Sequence, residues 1–376
     1  MSNRTSAPFD GSGKAAVPLR IVFLGLSISS SWGNGHATTY RALARQLSLR
    51  GHEVTFLERD VPWYASNRDL PHAPFVRIIL YKDIDELKSQ EAIVKDADFV
   101  IVGSYVPQGI EVGQWVLGIR GGRSGFYDID TPVTMSHIQQ GCCEYLSPEL
   151  ICRYDLYLSF SGGPVLKMLM ERYGSRMAVP LFCTADETIY FPQDGQKVWM
   201  LGYLGTYSDD RQGALQSLLL NVAKAQPSRR FVVAGPQYPS SIQWPANVER
   251  IEHLPPEQHR AFYNSQLATL NVTRAEMIRL GYSPSVRIFE AAACGTPIIS
   301  DYWPGLEEIF EIGSEVLIAA DARQVLGYFT DFAADKLRMI GENARRRVLA
   351  SHTAAHRAAE LEGYIQQALD ASAGTR

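Results

Sequence analysis

The strongest constraint on the fold is a strand–loop–helix–strand pattern near the start of the chain. Residues 19–25 form an apolar run that ends in glycine, and residues 33–36 then read Gly-Asn-Gly-His. Residues 37–50 carry leucines at helical spacing before Gly51, and a second apolar run lies at 54–57. Buried parallel strands read as continuous apolar runs, and a helix forms the crossover between them. The pattern therefore predicts the opening unit of a parallel α/β sheet.

The same alternation continues along the chain and is interrupted once. Residues 182–196 are rich in polar and turn residues, which is typical of an interdomain linker. The alternation on both sides of this linker predicts two Rossmann-like domains that face a cleft, with the ligand at the carboxyl ends of the strands. Further strands are predicted at 76–80, 99–102, 125–129, 156–160, 198–203, 231–234, 268–272 and 297–300, and helices at 84–95, 164–172, 212–224, 256–264, 283–294 and throughout the region from 321.

The segment at 283–305 reads SPSVRIFEAAACGTPIISDYWPG and carries the clearest functional signal. Ser283 is a plausible N-cap, and Pro284 suits the first helical position. The free amides of residues 285–287 would then face outward beside the Arg287 cation, which is a good receptor for phosphate. Glu290 follows one to two turns later. This spacing suits a nucleotide, with its phosphate on the amides and its ribose hydroxyls on Glu290.

This segment resembles the donor-binding segment of GT-B glycosyltransferases, where a glutamate precedes small residues and a Gly-Thr-Pro turn. More narrowly, it resembles the spore-maturation CgeB-like group, whose members carry a similar SPSxRxFEAAACG run, and the resemblance extends over residues 19–311. Many retaining GT-B enzymes carry an E-x7-E pair, but Tyr282 stands at the first glutamate position here. Only Glu290 therefore carries over, as the ribose ligand.

The resemblance implies a GT-B domain arrangement. Residues 1–18 are expected to be a disordered leader, and residues 19–185 an N-terminal acceptor domain. Residues 186–352 would form the C-terminal nucleotide-sugar domain, and residues 353–376 a helix that packs back on the first domain.

Further anion-binding candidates lie in the predicted second domain. Gly205 and Thr206 follow a predicted strand, and a glycine turn there lets the backbone approach an anion. The resemblance implies that a basic residue just after this turn, Arg211, holds the diphosphate and helps the nucleotide leave. An ordinary loop with a surface arginine is the alternative. Arg287 has a surface ion pair as its alternative, and Arg274 could equally reach the cleft or form a structural ion pair.

Two glycine-containing loops are candidates for contact with the sugar. Gly305 lies in a loop that resembles the one approaching the sugar in the GT-B fold, and a simple helix-start turn is the alternative. Gly35 and His36 lie where GT-B enzymes close over the reacting sugar. His36 is a candidate general base or hydrogen-bond donor because the pKa of histidine lies near neutral pH, and a structural histidine is the alternative.

Two other motifs suggest different chemistry and are weaker. The Gly-x-Gly at 33–35 suggests a dinucleotide site with Glu58 on the ribose, but Thr38 occupies the position of the third glycine. Asp128-Ile129-Asp130 looks like a metal-binding D-x-D. Because GT-B sites usually need no metal, we predict no metal ligation. Asp130, or Asp128, is instead a candidate for orienting or deprotonating an acceptor hydroxyl.

Composition limits the partners. The formal charge of −4 argues against a dominant nucleic-acid surface, and 46% hydrophobic with 20% charged residues is typical of a globular enzyme. Five cysteines in 376 residues do not suggest a disulfide framework. A reducing cytoplasm is therefore the expected location, and no stretch is long and apolar enough to span a bilayer.

The leading hypothesis is therefore a hexosyltransferase-like, retaining glycosyltransferase with a nucleotide diphosphate sugar as donor substrate and no other cofactor. Its acceptor would be a hydroxyl of a glycan, lipid or protein, and the resemblance favours a polysaccharide or glycoconjugate. A non-catalytic nucleotide-sugar-binding protein, consistent with Tyr282, and a sugar-nucleotide epimerase on the same fold are the alternatives. The donor base and sugar, the acceptor and the oligomeric state are left open.

Overall fold

The structure is a computed structural model that describes residues 17–120 and 123–373. Residues 1–16 of the predicted leader lie outside the described residues. The described chain contains two parallel β-sheets with flanking helices, which confirms the predicted α/β architecture of two Rossmann-like units.

The first sheet is built from the apolar runs of the first half of the chain. All its strand pairs are parallel, and its strand order is β3-β2-β1-β4-β5-β6-β7. Every residue of β4 and β5 is buried, as expected for strands covered by helices on both faces. The strands are β1 (Arg20–Gly25), β2 (Glu53–Arg59), β3 (Arg77–Tyr81), β4 (Phe99–Gly103), β5 (Ser124–Asp128), β6 (Leu156–Ser159) and β7 (Ala178–Pro180); the helices are α1 (His36–Leu49), α2 (Pro62–Ala65), α3 (Ile84–Lys88), α4 (Glu91–Asp96), α5 (Gly109–Arg120), α6 (Thr131–Gln140), α7 (Pro148–Ile151) and α8 (Pro164–Glu171).

The second sheet has the order β10-β9-β8-β11-β12-β13 and is also parallel. A π-helical turn at Gln216–Leu220 joins α9 to α10, and a 3-10 turn spans Leu306–Glu308. The strands are β8 (Trp199–Leu204), β9 (Phe231–Ala234), β10 (Val248–Ile251), β11 (Gln266–Asn271), β12 (Ile298–Ser300) and β13 (Leu317–Ile318); the helices are α9 (Asp209–Leu215), α10 (Asn221–Ala225), α11 (Pro256–Asn264), α12 (Ala275–Leu280), α13 (Val286–Ala293), α14 (Ala322–Asp331), α15 (Ala334–Ser351) and α16 (Ala354–Ala373).

Each sheet has one switch point, where the strand order reverses. In the first sheet β1 lies between β2 and β4, and in the second β8 lies between β9 and β11. Ligands of open α/β sheets bind at the carboxyl ends of the strands at such points. The loops that follow β1 and β8 contain the predicted glycine turns, Gly33–Gly35 and Gly205, so the topology places both at switch points.

The chain passes between the two sheets through neighbouring segments. Thr184 Oγ1 donates to the His352 carbonyl at 2.6 Å, and Ala185 pairs with Thr353 in an isolated parallel bridge. The last helix, α16, then contacts α1 and β6 of the first unit. The domain limits given above stay predictions. Residues 184–185 and 352–353, which lie at two of these limits, contact one another.

The predicted helix at 283–294 begins later than expected. Its first residue is Val286, and its N-cap is Ser285, whose side chain makes no capping hydrogen bond. Ser283 is instead buried at the contact between the two units, where its Oγ bonds Ser161 Oγ at 2.5 Å and the Gly281 carbonyl at 2.9 Å. The capping role assigned to Ser283 is therefore wrong, because its hydroxyl is used in an interdomain contact.

Candidate functional site

A cavity of about 240 Å³ lies between the two units at their switch points. Loops from both units line it, so neither sheet alone forms the site. The first unit contributes Ser31, Gly33, Asn34, Gly35 and Thr38; the second contributes Leu204, Gly205, Thr206, Arg211, Gly235, Pro236, His253, Leu254, Pro256, His259, Tyr263, Val286, Arg287 and Glu290.

The predicted site residues separate into two groups. The cavity is lined by Gly35, Gly205, Thr206, Arg211, Arg287 and Glu290. The remaining candidates, which do not line this cavity, are His36, Asp130, Arg274, Ser285 and Gly305.

Two helix N-termini from different units meet at the cavity. Helix α1 follows Gly35, and α13 follows Ser285 with Val286 and Arg287 in its first turn. Gly35, Val286 and Arg287 all line the cavity. Unpaired backbone N–H groups and the helix dipole make such ends favourable for anions. The arrangement is suited to a ligand with at least two negative charges.

Arg287 is a fixed, buried cation in the cavity wall, with 7% of its surface exposed. Its Nε donates to the Leu204 carbonyl at 2.5 Å, and one terminal nitrogen donates to Asn271 Oδ1 at 2.8 Å and Ser285 Oγ at 3.2 Å. The surface ion pair considered as an alternative is therefore wrong. Ser285 contributes through Arg287.

Gly205 is needed for this arrangement. A Cβ at position 205 would lie 2.6 Å from the Tyr203 hydroxyl and 2.9 Å from a terminal nitrogen of Arg287. The Arg287 guanidinium also lies 4.8 Å from the centre of the Tyr203 ring. A side chain at position 205 would displace the cation.

Arg211 is the second cation in the wall. One terminal nitrogen donates to the Thr206 carbonyl at 2.6 Å, which fixes the guanidinium against the turn that follows β8. Its buried Nε has no hydrogen-bond partner among the described residues. Arg211 therefore keeps unused donor capacity at the cavity.

Glu290 is the carboxylate of the cavity and is 2% exposed. The Tyr263 hydroxyl donates to its Oε2 at 3.0 Å, and His259 Nδ1 lies 3.7 Å from the same oxygen. His259 is held in turn by the Leu254 carbonyl, 3.1 Å from its Nε2. These contacts fix the orientation of the carboxylate, which is needed to bind a pair of hydroxyls.

The wall formed by residues after β9 and β10 was not predicted from the sequence. Gly235 and Pro236 directly follow the predicted strand at 231–234, so their position at a strand end was a usable signal. His253 and Leu254 follow β10, whose Val-Glu-Arg-Ile sequence lacks the apolar run used to predict the other strands. That edge strand was not predicted, so its loop was not considered.

Arg250 of β10 supports this wall from behind. It donates to the Val233 carbonyl and, at 2.9 Å, to the Gly235 carbonyl. Its guanidinium stacks 4.2 Å from the ring centre of Tyr238 and 4.6 Å from that of Trp244. The Tyr238 hydroxyl donates to the Gly205 carbonyl at 3.1 Å. The cluster of Arg250, Tyr238 and Trp244 therefore fixes the backbone at both Gly205 and Gly235.

The wall from the first unit is fixed by Glu58, which is fully buried at the end of β2. Its carboxylate accepts from Ser27 Oγ at 2.9 Å, Ile28 N at 2.8 Å, and Ser29 N and Oγ at 2.9 and 2.6 Å. The dinucleotide interpretation required this carboxylate to bind a ribose. Because it is fully engaged in ordering the loop after β1, the structure does not support that interpretation.

His36 lies beside the cavity with its ring stacked on Tyr105, the ring centres 5.9 Å apart. Burial, and secondarily the Arg274 charge, lower the pKa of His36 to about 4. The expectation of a pKa near neutral pH is therefore wrong. The imidazole is neutral at physiological pH and a weak base, so its remaining role is hydrogen bonding.

Asp130 and Arg274 form an ion pair between the two units. Arg274 lies 3.2 Å from Asp130 Oδ2, and the Tyr105 hydroxyl donates to the same oxygen at 2.8 Å. Oδ1 of Asp130 is buried and has no hydrogen-bond partner in the described chain. Of the two alternatives for Arg274, the structure shows the ion pair. Asp128 bonds Thr134 and Tyr157, both at 2.6 Å.

Gly305 contacts Tyr282 and not the cavity. Tyr282 has a φ of 54°, and its ring lies against Gly163 of the first unit and Gly305 of the second. Its carbonyl accepts from the Gly162 amide at 2.9 Å, and its amide donates to the Pro304 carbonyl at 2.6 Å. Tyr282 therefore fills a contact between the units.

The described residues contain neither a membrane-spanning helix nor a metal-binding cluster. No helix among them is long and apolar enough to cross a membrane. No group of three or more histidine, cysteine or acidic side chains in residues 17–120 and 123–373 is arranged to hold a metal ion.

Comparison with protein families gives one match. A model of the glycosyl transferase-like family matches residues 211–363, which are less than half of the chain and contain most of the cavity wall from the second unit. No curated protein matches the chain in sequence.

Solved structures with the same fold include several glycosyltransferases. Sucrose-phosphate synthase from Thermosynechococcus elongatus is 15% identical with a TM-score of 0.67, covering 94% of this chain and 100% of that one. HepE of Anabaena, in complex with UDP-glucose, is 13% identical with a TM-score of 0.69, covering 94% and 100%. An α-glucosyltransferase in complex with UDP and DNA is 14% identical with a TM-score of 0.69, covering 93% and 99%. The fold is thus GT-B, as predicted.

Proposed function

We propose that this protein is a glycosyltransferase that moves a sugar from a nucleotide diphosphate sugar to an acceptor hydroxyl. One observation carries the proposal: two helix N-termini, two arginines and a fixed carboxylate converge on one interdomain cavity. The family-model match over residues 211–363 supports it independently.

The donor is assigned to the cavity by charge. Its diphosphate lies between Arg211, the first turn of α13 and the turn at Gly205, where cations and amides meet. Its ribose hydroxyls bind Glu290, and its base lies along the wall at His253 and Leu254. UDP is the first nucleotide to test because HepE and the α-glucosyltransferase are each bound to UDP or a UDP-sugar.

Catalysis in this site is chiefly electrostatic. Charge that develops on the leaving diphosphate is stabilised by Arg211, Arg287 and the two helix ends, which are already in position before the reaction. Closure of the two units orients the acceptor against the donor sugar. Asp130, whose Oδ1 has no hydrogen-bond partner among the described residues, is proposed to orient the acceptor hydroxyl, while neutral His36 donates or accepts a hydrogen bond at the sugar.

We further propose hexosyl transfer with retention, a CgeB-like enzyme and a cytoplasmic location. The SPSVRIFEAAACG run supports the CgeB-like assignment. Glu290 is the one carboxylate among the described cavity-lining residues, which leaves no second acid in the cavity for an inverting base or an epimerase pair. NMR of the anomeric configuration in the first product turned over tests the stereochemical part.

A thermal-shift panel of nucleotide diphosphates and nucleotide sugars tests the proposal. A shift with one nucleotide family is expected for the wild type and for Glu307→Ala, an exposed control carboxylate, but not for Glu290→Ala. A wild type that shifts with no nucleotide would sink the donor assignment. Uptake of nucleotide sugar without release of nucleotide diphosphate, even with acceptors present, would instead favour a binding protein.

A further inference from the structure

Two exposed tryptophans lie on the first unit, and one of them stands in the loop that lines the cavity. Of the six tryptophans in the chain, Trp32 and Trp63 are 37% and 54% exposed, whereas the other four are buried or half-buried. Trp32 lies between Ser31 and Gly33, both of which line the cavity. Trp63 lies on α2, and its ring centre is 6.1 Å from that of Tyr64. Large exposed aromatic side chains at a cavity mark a contact surface.

Hydrogen bonds join the two segments that carry these tryptophans. Ser30 Oγ donates to the Asn67 carbonyl at 2.7 Å, and Asn67 Nδ2 donates to the Trp63 carbonyl at 2.8 Å. The Leu70 amide donates to the Ser29 carbonyl at 2.9 Å. The segment at 60–70 is therefore attached to the loop at 27–35, and the two form one surface, which we call the tryptophan surface.

Ion pairs hold the same surface in place. Asp69 accepts two hydrogen bonds from Arg41, at 2.7 and 2.9 Å, and two from Ser31, at 2.7 and 2.9 Å. The Arg41 and Ser31 contacts lower the pKa of Asp69 to about 2, against the opposing effect of burial. Arg68 pairs with Asp60 at 2.5 Å. The tryptophans thus stand on a preorganised support and not on a free loop.

The charges of this surface indicate a neutral occupant. Every charged residue of the segment at 60–70, namely Asp60, Arg68 and Asp69, is paired. Nucleic acids and anionic lipid surfaces need cations that are free to meet phosphate. A pyranose ring needs none, because its C–H face packs on an aromatic ring while its hydroxyls bond polar groups at the edge.

We infer that the tryptophan surface binds the acceptor as a neutral glycan, with one sugar ring on Trp32 next to the donor and a more distant one on Trp63. The inference rests on the proposed function for the identity of the bound glycan as acceptor. It assigns a substrate class, oligosaccharide or polysaccharide, and two recognition residues. Fixed aromatic anchors lose little conformational entropy on binding, which favours this use.

The test measures glycan binding directly. Wild type, Trp32→Ala, Trp63→Ala and Trp32→Phe are titrated calorimetrically with cellopentaose, maltopentaose, chitopentaose and xylopentaose. We expect wild type to bind at least one of them and each alanine variant to bind it about tenfold more weakly, with Trp32→Phe near wild type. Tyr302→Ala, which removes a 52% exposed aromatic side chain from the second unit, is the matched control and keeps full binding. Circular dichroism verifies the fold of each variant.

Three results would overturn the inference. They are no binding of any of the four glycans by wild type, equal binding by the alanine variants, and tryptophan-dependent binding to phosphatidylcholine–phosphatidylglycerol vesicles in place of glycans. Failure of the proposed function looks different: the nucleotide panel gives no shift, yet glycans still bind through Trp32 and Trp63. In that case the surface is a glycan-binding surface that serves no transfer reaction.

Discussion

The two walls of the cavity differ in how they are built. The second unit presents long polar side chains, among them Arg211, Arg287 and Glu290, and each is fixed by a hydrogen bond or by a neighbouring ring. The first unit presents small residues and backbone from residues 31–38, ordered from behind by Glu58. Charged side chains with a fixed orientation recognise one particular ligand, whereas backbone and small residues leave space for a ligand that can change position.

Under the proposed function, the nucleotide lies chiefly on the wall of the second unit and the acceptor on that of the first. The wall of the second unit should therefore tolerate few changes. Substitutions in the wall of the first unit should change nucleotide affinity little, but they should affect stability and acceptor binding. Each prediction below tests one side of that division.

The largest effect is expected at Arg211. Its replacement by alanine removes a cation from the leaving diphosphate, so the rate of nucleotide diphosphate release should fall about 10²–10³-fold. Arg229→Ala, an exposed arginine of the same unit, should leave the rate unchanged. The measurement is release of nucleotide diphosphate under saturating donor. A loss below about threefold would remove Arg211 from the mechanism.

Glu58→Ala should lower stability strongly and nucleotide affinity only a little. The change removes the acceptor shared by two buried amides and two hydroxyls, so we expect the free energy of unfolding to fall by about 3 kcal/mol. Urea unfolding measures this. Nucleotide diphosphate affinity should fall by about fivefold or less, because Glu58 orders only the wall of the first unit, which contributes a single helix end to the proposed diphosphate site. A loss of affinity as large as that of Glu290→Ala would contradict the division between the walls.

Asp128 should make the stability of the first unit depend on pH. Burial raises the pKa of its carboxyl from 3.8 to about 6. Between these values the folded state holds a proton that the unfolded state has lost, so stability falls as pH rises from about 4 to 6, by about 3 kcal/mol.

Asp128→Asn can keep the contacts to Thr134 and Tyr157 and removes the titration. The variant should therefore gain stability over wild type at pH 7 relative to the difference at pH 4, as measured by urea unfolding at both values. Parallel stability curves for the two proteins would show that Asp128 does not titrate in this range.

The smallest effect is expected at Arg250, which contacts the wall from behind. Arg250→Met should raise KM for the donor about tenfold with a smaller change in kcat, because two hydrogen bonds that fix β9 and Gly235 are lost. Arg250→Lys should not restore KM, since lysine lacks the planar group that stacks on Tyr238 and Trp244. Arg230→Met, in an exposed ion pair, is the control. An effect confined to stability would make Arg250 structural only.

Several parts of the structure could be predicted from local sequence. The apolar run at 231–234 matches β9 residue for residue, and 256–264 matches α11. Buried parallel strands and amphipathic helices carry their own periodicity, which needs no knowledge of distant residues. The edge strand β10 was missed because it lacks the apolar run of a buried strand. The helix start at Val286 was misplaced because Ser283 contacts the first unit and does not cap the helix.

Glu290 was predicted from the local sequence and lines the cavity, whereas the roles predicted for Ser283, His36 and Arg274 depend on contacts that the local sequence does not show. A glutamate, small residues and a glycine turn on one short helix form a local signal, and the cavity contains that glutamate. Ser283 and Arg274 also had plausible local roles, but they contact Ser161 and Asp130 of the opposite unit. His36 stacks on Tyr105, which is distant in the chain but belongs to the same unit.

The sequence by itself determined the two α/β units, their switch-point loops and the short helix that carries Glu290, since each rests on residues close together in the chain. The tertiary structure alone decided which candidates face the cavity, the low pKa of His36, and the pairing of Asp130 with Arg274 across 144 positions. Desolvation and ion pairing are set by what lies around a group in space, and only the packing of the two units determines that.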